Sequence, residues 1–118
     1  MMAANSRRGE ISAKIDGREH ILCLTLGALA ELESAFSVDD LSALAERFST
    51  GRLSARDLMR IIGAGLRGGG TVVSDDEVAA LRFDGGAAGC ASLAGALLAL
   101  TFGSAEQGTE APSRPRTP

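Results

Sequence analysis

Trp and Tyr are absent from this chain of 118 residues, and only four Phe are present. The aromatic platforms on which bases or sugars stack are therefore missing. A core without large rings must draw its stability from many Leu, Ile, Val and Ala contacts. Lysine is almost missing too, since Lys14 stands against eleven Arg, and the formal net charge is −3. No basic run exceeds the pair Arg7-Arg8, which excludes the concentrated cationic face of a nucleic-acid binder. The two cysteines, Cys23 and Cys90, lie far apart with no companion ligands, so neither forms a CxxC or zinc spacing. Both sit in apolar runs, where Cys packs as a small hydrophobe, and a reducing cytoplasm fits. After Arg7-Arg8, the charges Glu10, Lys14, Asp16 and Arg18 interrupt the sequence, so no signal peptide is expected.

What is present reads as one α+β domain. Hydrophobic residues make up 45% of the chain, enough for a modest core. The expected organisation is a flexible leader over 1–8, a folded unit over 9–103 and a disordered tail over 104–118. The tail holds all three prolines and few apolar residues. Glu10 to Ile15 and Arg18 to Leu24 flank Asp16-Gly17, a dipeptide favoured in two-residue hairpin turns because both positions require positive φ. Such a turn puts Ile11, Ala13 and Ile15 on one face with Leu22 and Leu24, and opposes Lys14 to Glu19 as a cross-strand ion pair. A lone hairpin is marginal in water. It must pack on the helices that follow or pair with another strand, and its free edges are a candidate contact surface.

A small bundle of about five helices is expected after the hairpin. Thr25 caps the first, whose apolar stripe is Leu29, Leu32 and Phe36. Ser37-Val38-Asp39-Asp40 resembles a capping box with Asp in place of Glu and opens the second, with Leu41, Leu44, Ala45 and Phe48 buried and Gly51 at its end. Ser54 and Asp57 open the third, with Leu58, Ile61, Ile62 and Leu66 on one face and Gly68-Gly69-Gly70 as its stop. Ser74-Asp75-Asp76-Glu77 caps a short fourth helix presenting Val78 and Leu81. The fifth runs from about Ala87 to Phe102 and bears no charge.

Few residues point to chemistry. Gly63-Ala64-Gly65-Leu66-Arg67-Gly68 is a literal GxGxxG, the fingerprint of a dinucleotide site and the basis of a distant alternative, a small nucleotide-binding domain. That motif works only between a strand and a helix, whereas the Ser54 cap and the Leu58-Ile61-Ile62 spacing assign these glycines to the end of a helix. His20 is the only histidine, with no partner for catalysis or metal binding in sequence reach. Asp39-Asp40 and Asp75-Asp76-Glu77 lie in first helical turns, where capping and the helix dipole account for them. No catalytic, metal-binding or cofactor-binding residue is assigned.

The segment 85–105 has no charged residue. A membrane span needs about 20 strongly apolar residues with interfacial anchors. Its glycines and its lack of basic and aromatic flanks read against that. A helix apolar all round must be covered on every side. Either it is the central helix of the monomer, or a partner or second copy covers it. On the second reading Leu93, Leu97 and Leu98 are the candidate partner-binding residues.

Several segments, in order, resemble one family. They are Arg8-Gly9-Glu10, the Asp16-Gly17 turn, Leu24-Thr25-Leu26-Gly27-Ala28-Leu29-Ala30-Glu31-Leu32-Glu33, Leu66-Arg67-Gly68-Gly69-Gly70, Val78-Ala79-Ala80-Leu81 and the Gly- and Ala-rich helix ending at Phe102. The chain is similar in these to the gene transfer agent tail proteins, described variously as tail tube proteins and as tail assembly chaperones. The resemblance implies a non-enzymatic, cytoplasmic factor in the morphogenesis of a phage-like tail. As a chaperone it would shield the tape-measure protein or tube subunits and then leave. As a tube subunit it would stay in the particle. One hairpin followed by helices leans towards the chaperone, because tube proteins are usually β-rich.

Overall fold

A computed structural model of the chain describes residues 5–50 and 52–103. Strands β1 (Glu10–Ile15) and β2 (Arg18–Cys23) form an antiparallel two-stranded sheet. Five helices follow: α1 (Leu26–Ala35), α2 (Leu41–Ser49), α3 (Ala55–Gly68), α4 (Asp75–Val78) and α5 (Gly86–Phe102). The α+β class and the order of elements are those expected from the sequence.

The hairpin forms as the Asp-Gly turn requires. Asp16 has φ 54° and Gly17 φ 77°, and the ladder closes on Ile15 paired with Arg18. Both central residues lie at positive φ, the geometry that matches strand twist. Ile11 faces Leu22 in this register, and Ile15 and Leu22 are fully buried. Lys14 pairs with Glu19 across the ladder, although among the described residues the close ion pairs lie elsewhere.

Neither edge of the hairpin is simply open. At β2, Gly68 and Gly69 bring the end of α3 against the carbonyl oxygens of Cys23 and Ile21. At β1, Phe83 makes an isolated bridge to Ile15, and the Asp16 N–H donates to the Arg82 carbonyl at 2.8 Å. The Arg82 N–H in turn donates to Asp16 Oδ1 at 3.0 Å. The other end of β1 is held by Asn5, whose carbonyl accepts from the Arg8 and Glu10 N–H groups at 2.9 and 3.0 Å. Residues 5–8 of the expected leader are therefore tied down, with a 3-10 turn at Ser6–Arg8. The rest of that leader, residues 1–4, and the expected tail over 104–118 lie outside the described residues.

Helix starts follow the caps with one correction. Thr25 Oγ1 accepts from the Ala28 N–H at 3.1 Å. Ser54 with Asp57 and Ser74 with Glu77 each form both arms of a capping box. At α2 the cap is Asp40, whose Oδ1 accepts from the Ala43 N–H at 2.8 Å, not Ser37. Ser37 instead has φ 56° and turns the chain out of α1. Leu41, expected to be buried, becomes the first residue of α2 and is 42% exposed. Gly51, the expected end of α2, lies outside the described residues.

The central helix is α3. Residues 61–66 are buried in succession, and α3 meets both β2 and helices α1, α4 and α5. Ile61, Ile62 and Leu66 join Ile15, Leu22, Leu32, Leu44 and Leu97 as the largest fully buried side chains. Phe36 and Phe48 pack edge-on at 5.1 Å, with the Arg47 and Arg60 guanidinium groups over the Phe36 ring at 5.2 and 5.7 Å. A few rings are thus used where α1, α2 and α3 converge.

Candidate functional site

The GxGxxG lies inside α3. Its amides are spent on helical hydrogen bonds and cannot gather at a helix N-terminus around a pyrophosphate. The glycines serve packing instead. A Cβ on Gly65 would stand 2.7 Å from Leu97 Cδ2 and 3.3 Å from Leu22 Cδ2. One on Gly68 would strike the Cys23 carbonyl.

Polar groups are likewise occupied in holding elements together. Asp57 is buried at the start of α3, where its Oδ2 accepts from the Ser54 N–H at 3.0 Å and from Arg47 Nη2 at 3.3 Å. Burial pushes this carboxyl up, but the Ser54 and Arg47 contacts outweigh it and hold the group below the usual carboxylate range. Arg67 reaches Glu31 at 2.7 Å, Asp75 at 3.1 Å and the Val73 carbonyl at 2.9 Å. It therefore joins α1, α3 and the approach to α4, and the Glu31 hydrogen bond leads in raising its pKa. Periodicity alone carries no signal for this long-range node. His20 Nδ1 lies 3.4 Å from Thr71 Oγ1. Burial raises the pKa of both Cys23 and Cys90, keeping these thiols protonated near neutral pH. Among the described residues no cluster of three or more His, Cys, Asp or Glu could hold a metal ion.

Helix α5 carries no charged residue. Its inward face is Ala94, Leu97 and Leu98, all buried. Leu97 is fully buried against Gly65 of α3 and serves the monomer core, whereas Leu98, 8% exposed, also lines a groove beside α2. Leu93 is half-buried. The outward residues Ala88, Ala91, Ser92, Gly95, Ala96 and Ala99 are exposed and uncharged. Among the described residues no helix is long and apolar enough to cross a membrane.

Two apolar grooves flank this helix. One, of about 580 Å³, lies between α2 and α5 and is lined by Phe48, Leu53, Ala91, Gly95, Leu98 and Phe102. The other, of about 410 Å³, lies where α3, the segment after α4 and the start of α5 meet. Leu58, Met59, Leu81, Phe83 and Cys90 line it, with Arg82 beside them. The sequence pattern missed this second groove because α4 ends at Val78 and leaves Leu81 and Phe83 in no periodic element.

The match to known families decides the setting. A family model described as phage tail tube protein, GTA-gp10, matches residues 8–104. The chain belongs to that family. The match takes in the hairpin and all five helices of the chain, and places it among phage-tail proteins of gene transfer agents, as the sequence resemblance implied. No curated protein and no solved structure matches the chain.

Proposed function

We propose that the chain is a structural subunit of a phage-like tail, retained in the particle at the tube. The observation that carries this reading is the family match over residues 8–104, whose description is that of a tail tube protein. It displaces the chaperone from first place. The role is non-enzymatic, in keeping with polar side chains such as Asp57 and Arg67 that serve as caps and ties between elements. Partners are other tail proteins or further copies, met through apolar surface beside α5.

A chaperone for the tape-measure protein or tube subunits is the second reading. Its support is the small sheet, two strands whose edges are already engaged by Gly68, Gly69 and Phe83. Quantitative mass spectrometry of purified particles beside the producing lysate tests the choice. Many copies per particle are expected. Abundance in the lysate with absence from finished particles would overturn the subunit reading in favour of the chaperone.

A further inference from the structure

Leu41 is a large apolar side chain exposed beside acids, and an apolar groove elsewhere carries basic residues at its margin. Leu41 begins α2 and is 42% exposed, with Asp39 and Asp40 exposed immediately before it. Asp40 accepts from the Ala43 N–H at 2.8 Å. The groove formed by Leu58, Met59, Leu81, Phe83 and Cys90 has Arg82 in its lining. Arg82 is exposed, and among the described residues its guanidinium joins none of the ion pairs. Arg56 lines the adjoining depression that shares Met59, whereas the Arg60 guanidinium is turned to the Ala35 carbonyl and the Phe36 ring. Of the two acids there, Asp75 is tied to Arg67 at 3.1 Å, while Asp76 is exposed and, among the described residues, joins none of the ion pairs.

Knob and groove lie on different sides of α3. Arg47 of α2 reaches Asp57, and Arg60 reaches the Ala35 carbonyl, so α1 and α2 pack against that side. Ala55, Leu58 and Met59 face the groove. A chain cannot place its own Leu41 in its own groove, but each feature supplies what the other lacks: an apolar filling with anions for an apolar cleft with cations.

We infer that Leu41, with Asp39 and Asp40, docks into the Arg82-edged groove of a second copy of this chain. The contact is heterologous, because knob and groove are different patches, so it propagates from copy to copy towards a ring or filament. Opposite charges set the approach and register, and burial of Leu41 supplies the attraction. Resting on the tail-subunit reading, the inference names which surface joins successive subunits.

Cys90 lines the groove and offers a direct test. In the full chain with Cys23→Ser, the further change Leu41→Cys should yield a ladder of oligomers on oxidation with diamide, linked between positions 41 and 90. Leu26→Cys, placed on a residue 79% exposed, should stay monomeric under the same treatment. In sedimentation, Leu41→Ser and Arg82→Glu should each weaken self-association about tenfold or more, with circular dichroism unchanged. Mixed, they should give a one-to-one dimer that grows no further, since one retains the groove and the other the knob. A monomer at every concentration with no 41–90 link overturns the inference, as does assembly of both variants like the unsubstituted chain. Particle mass spectrometry decides the tail reading separately. A chain found in particles without the 41–90 link sinks the docking alone, whereas linked oligomers with no chain in particles sink only the tail reading.

Discussion

The same substitution, Gly→Ala, should have opposite signs at two helical glycines of this fold. Within a helix, Ala is favoured over Gly by about 1 kcal/mol, because Gly loses more backbone entropy on folding. At Gly95, on the outer face of α5, a Cβ meets nothing within 4 Å. The full propensity gain should appear there, about 0.5–1 kcal/mol of added stability. At Gly68 a Cβ would strike the Cys23 carbonyl oxygen. That atom belongs to the backbone of β2 and cannot rotate aside, so strand and helix must separate. Overpacking of this kind costs about 1–3 kcal/mol. After the propensity gain, Gly68→Ala should still destabilise by about 1–2 kcal/mol. For a domain of this size each kcal/mol moves Tm by about 4–8 °C. Thermal unfolding followed at 222 nm should therefore place the two variants on opposite sides of the parent. A Gly68→Ala protein as stable as Gly95→Ala would refute the close approach of α3 to β2, and with it the packing role assigned to the glycine-rich stretch.

Three further outcomes follow from the same contacts. Asp57→Ala removes one arm of a capping box and the Arg47 partner, and should cost about 2 kcal/mol in urea unfolding. Because the folded carboxyl is held below its unfolded value of about 4, its contribution is present above that pH and disappears as pH falls through the lower folded pKa; the parent and Asp57→Ala stabilities should therefore converge in acid. Leu97→Asp puts an unpaired carboxylate at a fully buried position and should cost about 4 kcal/mol or more, near the whole stability of a small domain; a folded Leu97→Asp protein that had merely lost a partner would return this residue to the contact surface. Millimolar NAD or ATP should leave Tm unchanged in a thermal-shift titration, and a rise that grows with ligand concentration would contradict the helical placement of Gly63 and Gly65.

Local chemistry made much of this fold legible. Asp16-Gly17, Thr25, Ser54 and Ser74 each act within a few residues of themselves, so turn and cap rules located the hairpin and three helix starts. Ser37 misled because a polar residue before an amphipathic run has two uses, cap or left-handed exit, and Asp40 was the better cap for α2. Periodicity named the apolar residues of α5 but not their direction. Leu97 turns inward because the missing side chain of Gly65 leaves room for it, a fact of tertiary packing. The groove beside Arg82 was invisible for a related reason. Leu81 and Phe83 gain a role only when the Ile15–Phe83 bridge fixes the segment after α4 against the hairpin.

That bridge also bears on how such a chain can build a tail. A tube closed by sheets requires each subunit to offer strand edges to its neighbours. Here the β2 edge is met by Gly68 and Gly69, and the β1 edge is held at one end by Asn5 and at the other by Arg82 and Phe83. Extending the sheet on the β1 side would first require the Asp16–Arg82 hydrogen bonds, at 2.8 and 3.0 Å, to open. It would also pull away the segment that carries Arg82 and Phe83 in the groove wall. Docking through Leu41 makes the opposite demand, since it needs that segment in place. Sheet extension at β1 and knob-in-groove contact therefore compete for the same residues. In the folded chain those residues already stand in the arrangement that docking requires.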